Sequence, residues 1–315
     1  MKFLIVLGIS FFLAVVFVYL SKKLAGFFRL YYYPDSPLDI HDRPVPFLGG
    51  LGIFLAVLIT FAISYFLISN PVNLFWLSSL LTGGVLAFFL GLWDDLRVRG
   101  AKVEMTYKKK FIFQLAISGI VSIAFVMGGL IIKVFPLGIV GVLLMTFYIL
   151  GGMNAVNLQD GLDGLAAGLV AISSVGFAIL SILTGNTVAL ILSLSGLGAA
   201  LGFLVYNFHP ASIFMGDNGS YFLGFLVAVL AIIFTSKAYD LRWFLGPILI
   251  IGLPVADTAW TVIRRILQRK SIFQGDRGHI YDRMIKKGVS VRATVLICYL
   301  IQVALVAWGI GLTQL

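Results

Sequence analysis

Residues 135–183 read FPLGIVGVLLMTFYILGGMNAVNLQDGLDGLAAGLVAISSVGFAILSIL, and this stretch decides the class of fold. Two apolar runs, 135–153 and 164–183, each approach the ~20 residues with which a helix crosses about 30 Å of hydrocarbon. Between them stand asparagines, a glutamine, aspartates and glycines. The pattern predicts two membrane-spanning helices joined by a short polar connection.

Similar apolar runs recur along the whole chain, which has 315 residues, a mean hydropathy of +1.06 and only 11% charged residues. A soluble domain averages about 25% charged residues, so most of this surface faces something other than water. We predict an all-α integral membrane protein with about ten transmembrane helices, and a single membrane domain over residues 1–315. The predicted spans are 3–21, 48–68, 74–92, 111–132, 135–153, 164–183, 187–206, 221–236, 243–262 and 292–312.

Basic residues are distributed unevenly between the two sides of this predicted topology. When the loops are assigned alternately to the two sides, most of the 23 Lys and Arg fall on one side. The exceptions are Lys2, Lys133, Lys237 and Arg242. The positive-inside rule makes the basic side cytoplasmic and places both termini outside. The net charge of +10 is therefore interpreted as a topology signal in contact with membrane lipid, and no nucleic-acid partner is expected.

Acidic residues and histidines collect on the same cytoplasmic side. Of the 13 Asp and Glu, only Asp240 falls outside, and His41, His209 and His279 all lie in cytoplasmic loops. Acids contribute little to membrane orientation, so the topology does not require this arrangement. One interpretation is that these residues are only solvated charges on the surface of the loops. An active site on the cytoplasmic face is the sharper one, and we adopt it as the prediction.

The most specific polar cluster runs from Asn154 to Gly164, with Asn154, Asn157, Asp160 and Asp163 at intervals of three residues. On a helical turn this spacing brings successive side chains near one face. Polar groups at membrane depth are expensive unless they line a functional, watery cavity. Glycines at the start of a helix, such as Gly161, allow a phosphate or a ribose to approach closely.

Three further clusters accompany it. Asp94-Asp95 ends the third predicted span, and Lys110 near the start of the fourth is able to bind phosphate as a point charge. Asn207 to Ser220 contains Gly216-Asp217 before a helix, which suits Mg²⁺ because that ion takes one or two carboxylates together with substrate phosphates. Phe214 in this stretch either stacks on a base or anchors the interface. The basic loop around Arg277 and His279 is placed to meet an anion.

Taken in order, these clusters resemble those of the polyprenyl-phosphate N-acetylhexosamine-1-phosphate transferases, glycosyltransferase family 4. The resemblance spans about residues 41–283 and rests on five ordered motifs. They are Asp-Arg-Pro-Val-Pro at 42–46, Asp-Asp at 94–95, Asn-Ala-Val-Asn-x2-Asp-Gly-x-Asp-Gly at 154–164, Met-Gly-Asp-x-Gly-Ser at 215–220, and the His279 loop. Lys110 with Gln114 forms a further matching turn.

The resemblance implies a Mg²⁺-dependent reaction, with Mn²⁺ as a possible substitute. Undecaprenyl phosphate attacks a UDP-sugar, most simply UDP-GlcNAc, giving a lipid-pyrophosphate-sugar and UMP at the first membrane step of a cell-envelope polysaccharide pathway. It further implies a multi-pass protein of the cytoplasmic (inner) membrane and allows a homodimer. The implied roles are catalysis by Asp94, Asp95 and Asp217, metal binding by Asp217 and Asn157, and substrate binding by Lys110, Asp160, Gly161, Asp163, Asn207, Phe214, Arg277 and His279.

One departure and two rival interpretations accompany this prediction. Where related enzymes carry further histidines, this chain has Tyr281-Asp282, which favours the GlcNAc branch over the MurNAc-pentapeptide branch. A transporter or flippase of nucleotide- or lipid-linked sugars is an alternative. Such a protein is expected to carry polar residues at the centres of its spans, whereas the centres of the spans predicted here are apolar. A CDP-alcohol-type transferase would need Ala-Arg after Asp160, where Asp163-Gly164 stands.

Overall fold

The computed structural model describes residues 2–33, 43–68, 74–100, 105–132, 138–237, 239–271 and 277–315. Within these ranges the chain forms helices and one short pair of strands. The helices are α1 Lys2–Phe27, α2 Gly49–Ile68, α3 Leu74–Gly100, α4 Tyr107–Met127, α5 Gly138–Gln159, α6 Leu165–Thr184, α7 Thr187–Asn207, α8 Gly216–Thr235, α9 Leu241–Ile250, α10 Gly252–Leu267, α11 Ile280–Lys286 and α12 Val291–Gln314; the strands are β1 Tyr31–Tyr32 and β2 Val45–Pro46.

The prediction of an all-α integral membrane protein is confirmed. Among the described residues, eight helices (α1, α3 to α8 and α12) are long and apolar enough to cross a membrane. The described side chains of α2 make a shorter apolar helix, Gly49–Tyr65. The helices close over a core centred on α8, whose side chains are almost all buried, because α8 packs against α2, α3, α5 and α9.

The predicted span 243–262 is not one straight helix, and the prediction is wrong in this respect. The chain breaks at Ile251, and α9 and α10 meet at 89°, so the pair forms either a broken span or a re-entrant loop. Gln302 of α12 satisfies the backbone at the break. Its Nε2 donates to Ile250 O at 2.6 Å, and its Oε1 accepts from Leu253 N at 3.0 Å. Gln302 is fully buried near the middle of α12, so the centre of that span contains a polar residue.

Replacing Gln302 with leucine is expected to lower the melting temperature of the detergent-solubilised protein. The substitution leaves the Ile250 carbonyl and the Leu253 amide without a partner in a buried site, which costs about 1–3 kcal/mol per group. Gln314→Leu is the matched control, because Gln314 is exposed at the end of the same helix. Equal melting temperatures for the two variants would show that the break does not depend on Gln302.

Close backbone contacts bring α3 and α5 against α8. A Cβ on Gly152 of α5 would lie 2.7 Å from the carbonyl oxygen of Gly224 in α8. A Cβ on Gly91 of α3 would collide with the backbone of Asp217. Small residues permit this approach between membrane helices. As a result, the carboxylates of Asp94 and Asp95, in the last two turns of α3, lie beside the beginning of α8.

The strands attach the connection between α1 and α2 to the segment before α8. β1 and β2 pair antiparallel, with Tyr31 opposite Pro46. Phe214 N donates to Pro46 O at 2.8 Å, and Gly49 N donates to Phe214 O at 3.0 Å. Aromatic side chains of the N-terminal region are thereby placed next to Phe214. His41 and Asp42 of the first motif lie outside the described residues.

Candidate active site

A cavity of about 470 Å³ opens where α3, α4 and α8 meet the polar connections after α5 and α7. Most of the side chains predicted from the sequence line this cavity, although they come from four separate parts of the chain. The lining residues are Tyr32, Phe47, Asp94, Asp95, Lys110, Asp160, Gly161, Leu162, Asp163, Asn207, Phe214, Gly216, Asp217 and Arg277.

Asp95 fixes the beginning of α8. Its two carboxylate oxygens accept hydrogen bonds from Asp217 N and Asn218 N, both at 3.0 Å, and from the Asn218 side chain at 2.5 Å. Gly216 precedes these amides with φ +78°, a left-handed conformation that favours glycine. A carboxylate satisfies the free amides of a helix N-terminus and is stabilised by the helix dipole. Asp95 therefore orients the turn that carries Asp217.

Lys110 is the cation at the centre of the acidic cluster. Its ammonium forms an ion pair with Asp94 and lies 3.5 Å from Asp217 Oδ2. The Asp94 side chain is 4% exposed, whereas that of Asp217 is 26% exposed and reaches into the cavity. Asp94 Oδ1 is buried and accepts no hydrogen bond from the described part of the chain. The cluster thus keeps an unused acceptor beside Asp217.

Asn157 reaches Asp217 from behind the cavity wall. Its Nδ2 donates to Asp217 Oδ1 at 2.8 Å and to Ser220 Oγ at 2.9 Å. Tyr221 contributes a hydroxyl 3.3 Å from Asp217 Oδ2. One turn before Asn157, Asn154 donates to Gln114 Oε1 at 2.9 Å and thereby connects α5 to α4. These contacts hold Asp217 and Lys110 in a common frame.

The connection between α5 and α6 contributes the second half of the acidic wall. Asp163 Oδ2 contacts His209 Nδ1 at 2.8 Å and accepts from Ala211 N at 3.0 Å. Asn207 accepts from Gly164 N at 2.9 Å and donates to Ile213 O, so it holds two polar connections together. Asn207 and Asp163 consequently shape the wall that they also line.

Burial raises the pKa of Asp160 well above its usual range, and the nearby carboxylates of Asp217 and Asp95 raise it further. Its ionised form is therefore disfavoured in the absence of a cation. Five of the lining side chains are aspartates, whereas two, Lys110 and Arg277, are cations. Because carboxyl groups outnumber the cationic side chains, the cavity favours a ligand that binds together with an additional cation.

The basic loop contributes Arg277 to the cavity, while His279 lies behind the wall. His279 is 4% exposed, and its Nδ1 contacts Asp257 Oδ2 at 2.6 Å. Its ring stacks on Tyr281 with centroids 5.5 Å apart and planes 5° apart. Asp282 accepts a hydrogen bond from His279 N at 3.3 Å at the beginning of α11. Tyr281 and Asp282 therefore hold His279 in place.

Aromatic side chains form another part of the wall. Tyr32 of β1 packs edge-on against Phe214, with ring centroids 5.9 Å apart, and Phe47 follows β2. Phe214 was predicted to face a ligand, but Tyr32 and Phe47 were not. The only sequence feature at Tyr32 is the Tyr31-Tyr32-Tyr33 run; β1 pairs with β2, and Pro46 O of β2 accepts from Phe214 N, which places Tyr32 beside Phe214.

The donor set fits a divalent cation only if the substrate completes it. Among the described residues, no three acidic, histidine or cysteine side chains converge to hold a metal by themselves. Mg²⁺ commonly uses one or two protein carboxylates and fills its remaining positions with water and substrate phosphates. Asp217, with Asp94 beside it, meets this requirement. Asn157 now points its amide nitrogen at Asp217, so an amide-oxygen ligand requires that group to rotate.

The fold and this cavity define a polytopic helical membrane protein with a polar, carboxylate-rich pocket at the ends of its helices. The chain belongs to glycosyl transferase family 4, whose family model matches residues 76–235. The matched region contains the helices and connections that carry Asp94, Lys110, Asn157, Asp160 and Asp217.

Several relatives cover most of the chain. One is a probable undecaprenyl-phosphate N-acetylglucosaminyl 1-phosphate transferase of Bacillus subtilis, 37% identical over 85% of this chain and 74% of that protein. Another is a decaprenyl-phosphate N-acetylglucosaminephosphotransferase of Mycobacterium leprae, 32% identical over 87% and 75%. A phospho-N-acetylmuramoyl-pentapeptide-transferase of Staphylococcus carnosus is 35% identical over 61% of this chain and 63% of that protein. These names do not favour the transporter interpretation, and they agree with the predicted branch.

Proposed function

We propose that this protein transfers GlcNAc-1-phosphate from UDP-GlcNAc to a polyprenyl phosphate, undecaprenyl phosphate in the simplest case. An oxygen of the lipid phosphate attacks the β-phosphorus of the donor. The bond from that phosphorus to the bridging oxygen breaks, and UMP leaves with the oxygen. The convergence of Asp94, Asp217, Asp160 and Lys110 on one cavity carries the proposal, and the similarity to GlcNAc-1-phosphate transferases supports it.

The side chains supply what phosphoryl transfer requires, namely positioning and charge neutralisation. Lys110 and Arg277 are placed to meet phosphate oxygens, since both line the acidic cavity. A phosphate monoester with a second pKa near 6 is already largely dianionic at neutral pH, so the acceptor needs little help from a general base. We therefore assign Asp94 and Asp95 mainly to placing Lys110 and Asp217, in agreement with their contacts.

A magnesium ion is part of this proposal, with Asp217 as its protein ligand and Asn157 as a second ligand after rotation of its amide. When bound, such an ion neutralises phosphate oxygens and polarises the phosphorus under attack. Phe214 with Tyr32 offers aromatic faces to the uracil, and Asp160, Gly161, Asp163 and Asn207 frame the nucleotide. His279 does not line the cavity in this arrangement; it affects substrate binding by holding the loop that carries Arg277.

The proposal places the cavity on the cytoplasmic face of the inner membrane, because the sequence concentrates its basic residues at the same helix ends. Both substrates are then accessible, the nucleotide sugar from the cytoplasm and the lipid phosphate from the bilayer. A homodimer is compatible with this arrangement and is not needed for it, since the cavity is built from one chain.

The deciding experiment is UMP release by the purified protein in detergent with undecaprenyl phosphate and Mg²⁺. Separate reactions receive UDP-GlcNAc, UDP-GalNAc or UDP-MurNAc-pentapeptide. We expect turnover with UDP-GlcNAc and its loss when a chelator removes the metal. Absence of UMP with all three donors would contradict the transferase assignment, whereas turnover only with another donor would correct the sugar.

A further inference from the structure

A buried acid, Asp257 of α10, lies outside the cavity and has its own set of partners. Its side chain is 1% exposed. Oδ2 contacts His279 Nδ1 at 2.6 Å and accepts from Gln159 Nε2 at 2.9 Å, while Oδ1 accepts from Ile280 N at 2.9 Å. One turn later in α10, Thr261 Oγ1 lies 3.4 Å from the same His279 nitrogen. A buried carboxylate is costly unless it is fully paired, and here both of its oxygens are used.

These contacts join the end of α5 to the beginning of α11. Gln159 immediately precedes Asp160, which lines the cavity. The hydroxyl of Tyr281 donates to Leu158 O at 3.0 Å, so α11 contacts the end of α5 at a second point. A Cβ on Gly161 would collide with the Tyr281 hydroxyl, which shows how closely the two segments fit. The start of α11 and the acidic connection therefore form one fixed unit.

Arg277 is carried by this unit. It stands two residues before His279, and it lines the cavity. Lys286 Nζ donates to the carbonyl oxygen of Arg277 at 2.7 Å, and Arg283 Nε donates to Gly278 O at 3.0 Å. The backbone at Arg277 is thus held by side chains of α11, while Asp257 holds the first turn of α11. An arginine needs this kind of support, because bidentate recognition of phosphate depends on a fixed orientation.

We propose that Asp257 is a positioning residue that, through His279 and the Ile280 amide, holds Arg277 toward the phosphates of the sugar-nucleotide donor. The inference rests on the proposed transferase function for the identity of the donor. It predicts that Asp257 affects donor binding specifically, because its contacts lead to Arg277 and not to the Asp94–Lys110 pair.

The test compares Asp257→Ala, Asp257→Asn, Arg277→Ala and the double variant Asp257→Ala/Arg277→Ala in steady-state kinetics with both substrates varied. Asp257→Ala should raise KM for UDP-GlcNAc by about 10- to 100-fold, since a small misplacement of a binding group has effects of this size. KM for undecaprenyl phosphate should stay within about twofold. Asp257→Asn keeps the volume and one acceptor, so its effect should be intermediate.

The double variant separates positioning from general damage. If Asp257 acts through Arg277, the double variant has the donor KM of Arg277→Ala alone, because coupled residues are non-additive. The inference is overturned if the effects of the two substitutions on the donor KM multiply in the double variant. It is also overturned if Asp257→Ala raises KM equally for both substrates, or leaves the donor KM at the wild-type value. Asp240→Asn is the matched control, since this aspartate pairs with Arg242 at the beginning of α9, away from the cavity.

Hydrogen exchange on the protein without substrate tests the same inference independently of turnover. Asp257→Ala should accelerate amide exchange in peptides covering 277–287 by about tenfold or more, while peptides from α8 exchange as before. Wild-type exchange at 277–287 would overturn the anchoring role. If the wild-type protein releases no UMP but the exchange result holds, the transferase proposal fails and the anchoring role stands.

Discussion

Replacing Asp217 with asparagine is expected to reduce UMP release by about a thousandfold, the size of effect seen when a charge-stabilising group is removed at a reaction centre. Asparagine has the same shape and can still accept the hydrogen bond from Asn157 Nδ2. The charge that faces the cavity is lost, and with it the proposed magnesium ligand. The measurement is the single-turnover rate with UDP-GlcNAc and undecaprenyl phosphate at saturating Mg²⁺.

The control for this variant is Asp240→Asn, which removes a carboxylate from the ion pair with Arg242. It should release UMP within about twofold of the wild type, because Asn also caps a helix. A melting temperature for Asp217→Asn at or above that of the wild type would show that the loss is chemical, since the buried carboxyl cluster repels itself. Turnover near the wild-type rate would remove Asp217 from the reaction.

The membrane architecture could be predicted from the sequence because hydrocarbon leaves few alternatives. A spanning segment must satisfy its backbone internally, so an apolar run such as 164–183 becomes a helix. The placement of the acidic motifs followed from the same rule, since alternate helix ends meet on one side. Asp94, Asp160 and Asp217 are far apart in the chain and line one cavity. Their individual roles remain predictions.

The break at Ile251 could not be predicted from apolar periodicity, because the residue that stabilises it is distant in the sequence. Pro247 and Pro254 stand on either side of Ile251, and proline within a span is tolerated when neighbours satisfy the freed backbone. The neighbour is Gln302, which follows about fifty residues later in the sequence. Apolar periodicity carries no information about such a partner, so the sequence predicted one uninterrupted span.

Asp257 is a different case, because a signal for it existed. It is the acid inside the predicted span 243–262, and an ionisable residue within a membrane segment is by default a functional hypothesis. The sequence did not reveal its partner, since His279 lies beyond the predicted end of that span. Tyr32 and Phe47 gave weaker signals still. The pairing of β1 with β2 and the backbone hydrogen bonds of Pro46 and Gly49 to Phe214 place them in the cavity wall, and no residue pattern predicts these contacts.

Replacing Lys110 with methionine is expected to lower UMP release by about a hundredfold while reducing the Mg²⁺ concentration needed for half-maximal rate. The ammonium pairs with Asp94 and lies 3.5 Å from Asp217 Oδ2. Without it the substrate phosphates lose a cation, and charge-assisted contacts of this kind are among the strong ones. The two carboxylates also lose a competitor for the metal, so their apparent affinity for Mg²⁺ rises.

The neighbouring lysines provide matched controls, because Lys108 and Lys109 are exposed on the same turn of α4. Lys108→Met and Lys109→Met should keep both the rate and the Mg²⁺ requirement within about twofold, as expected for solvated surface charges. Lys110→Arg should fall between the wild type and Lys110→Met, since the larger planar guanidinium does not fit the same point between two carboxylates. A higher Mg²⁺ requirement in Lys110→Met would contradict the competition between Lys110 and the metal. Equal losses of UMP release in all three methionine variants would assign the effect to the positive charge at the start of α4 rather than to Lys110.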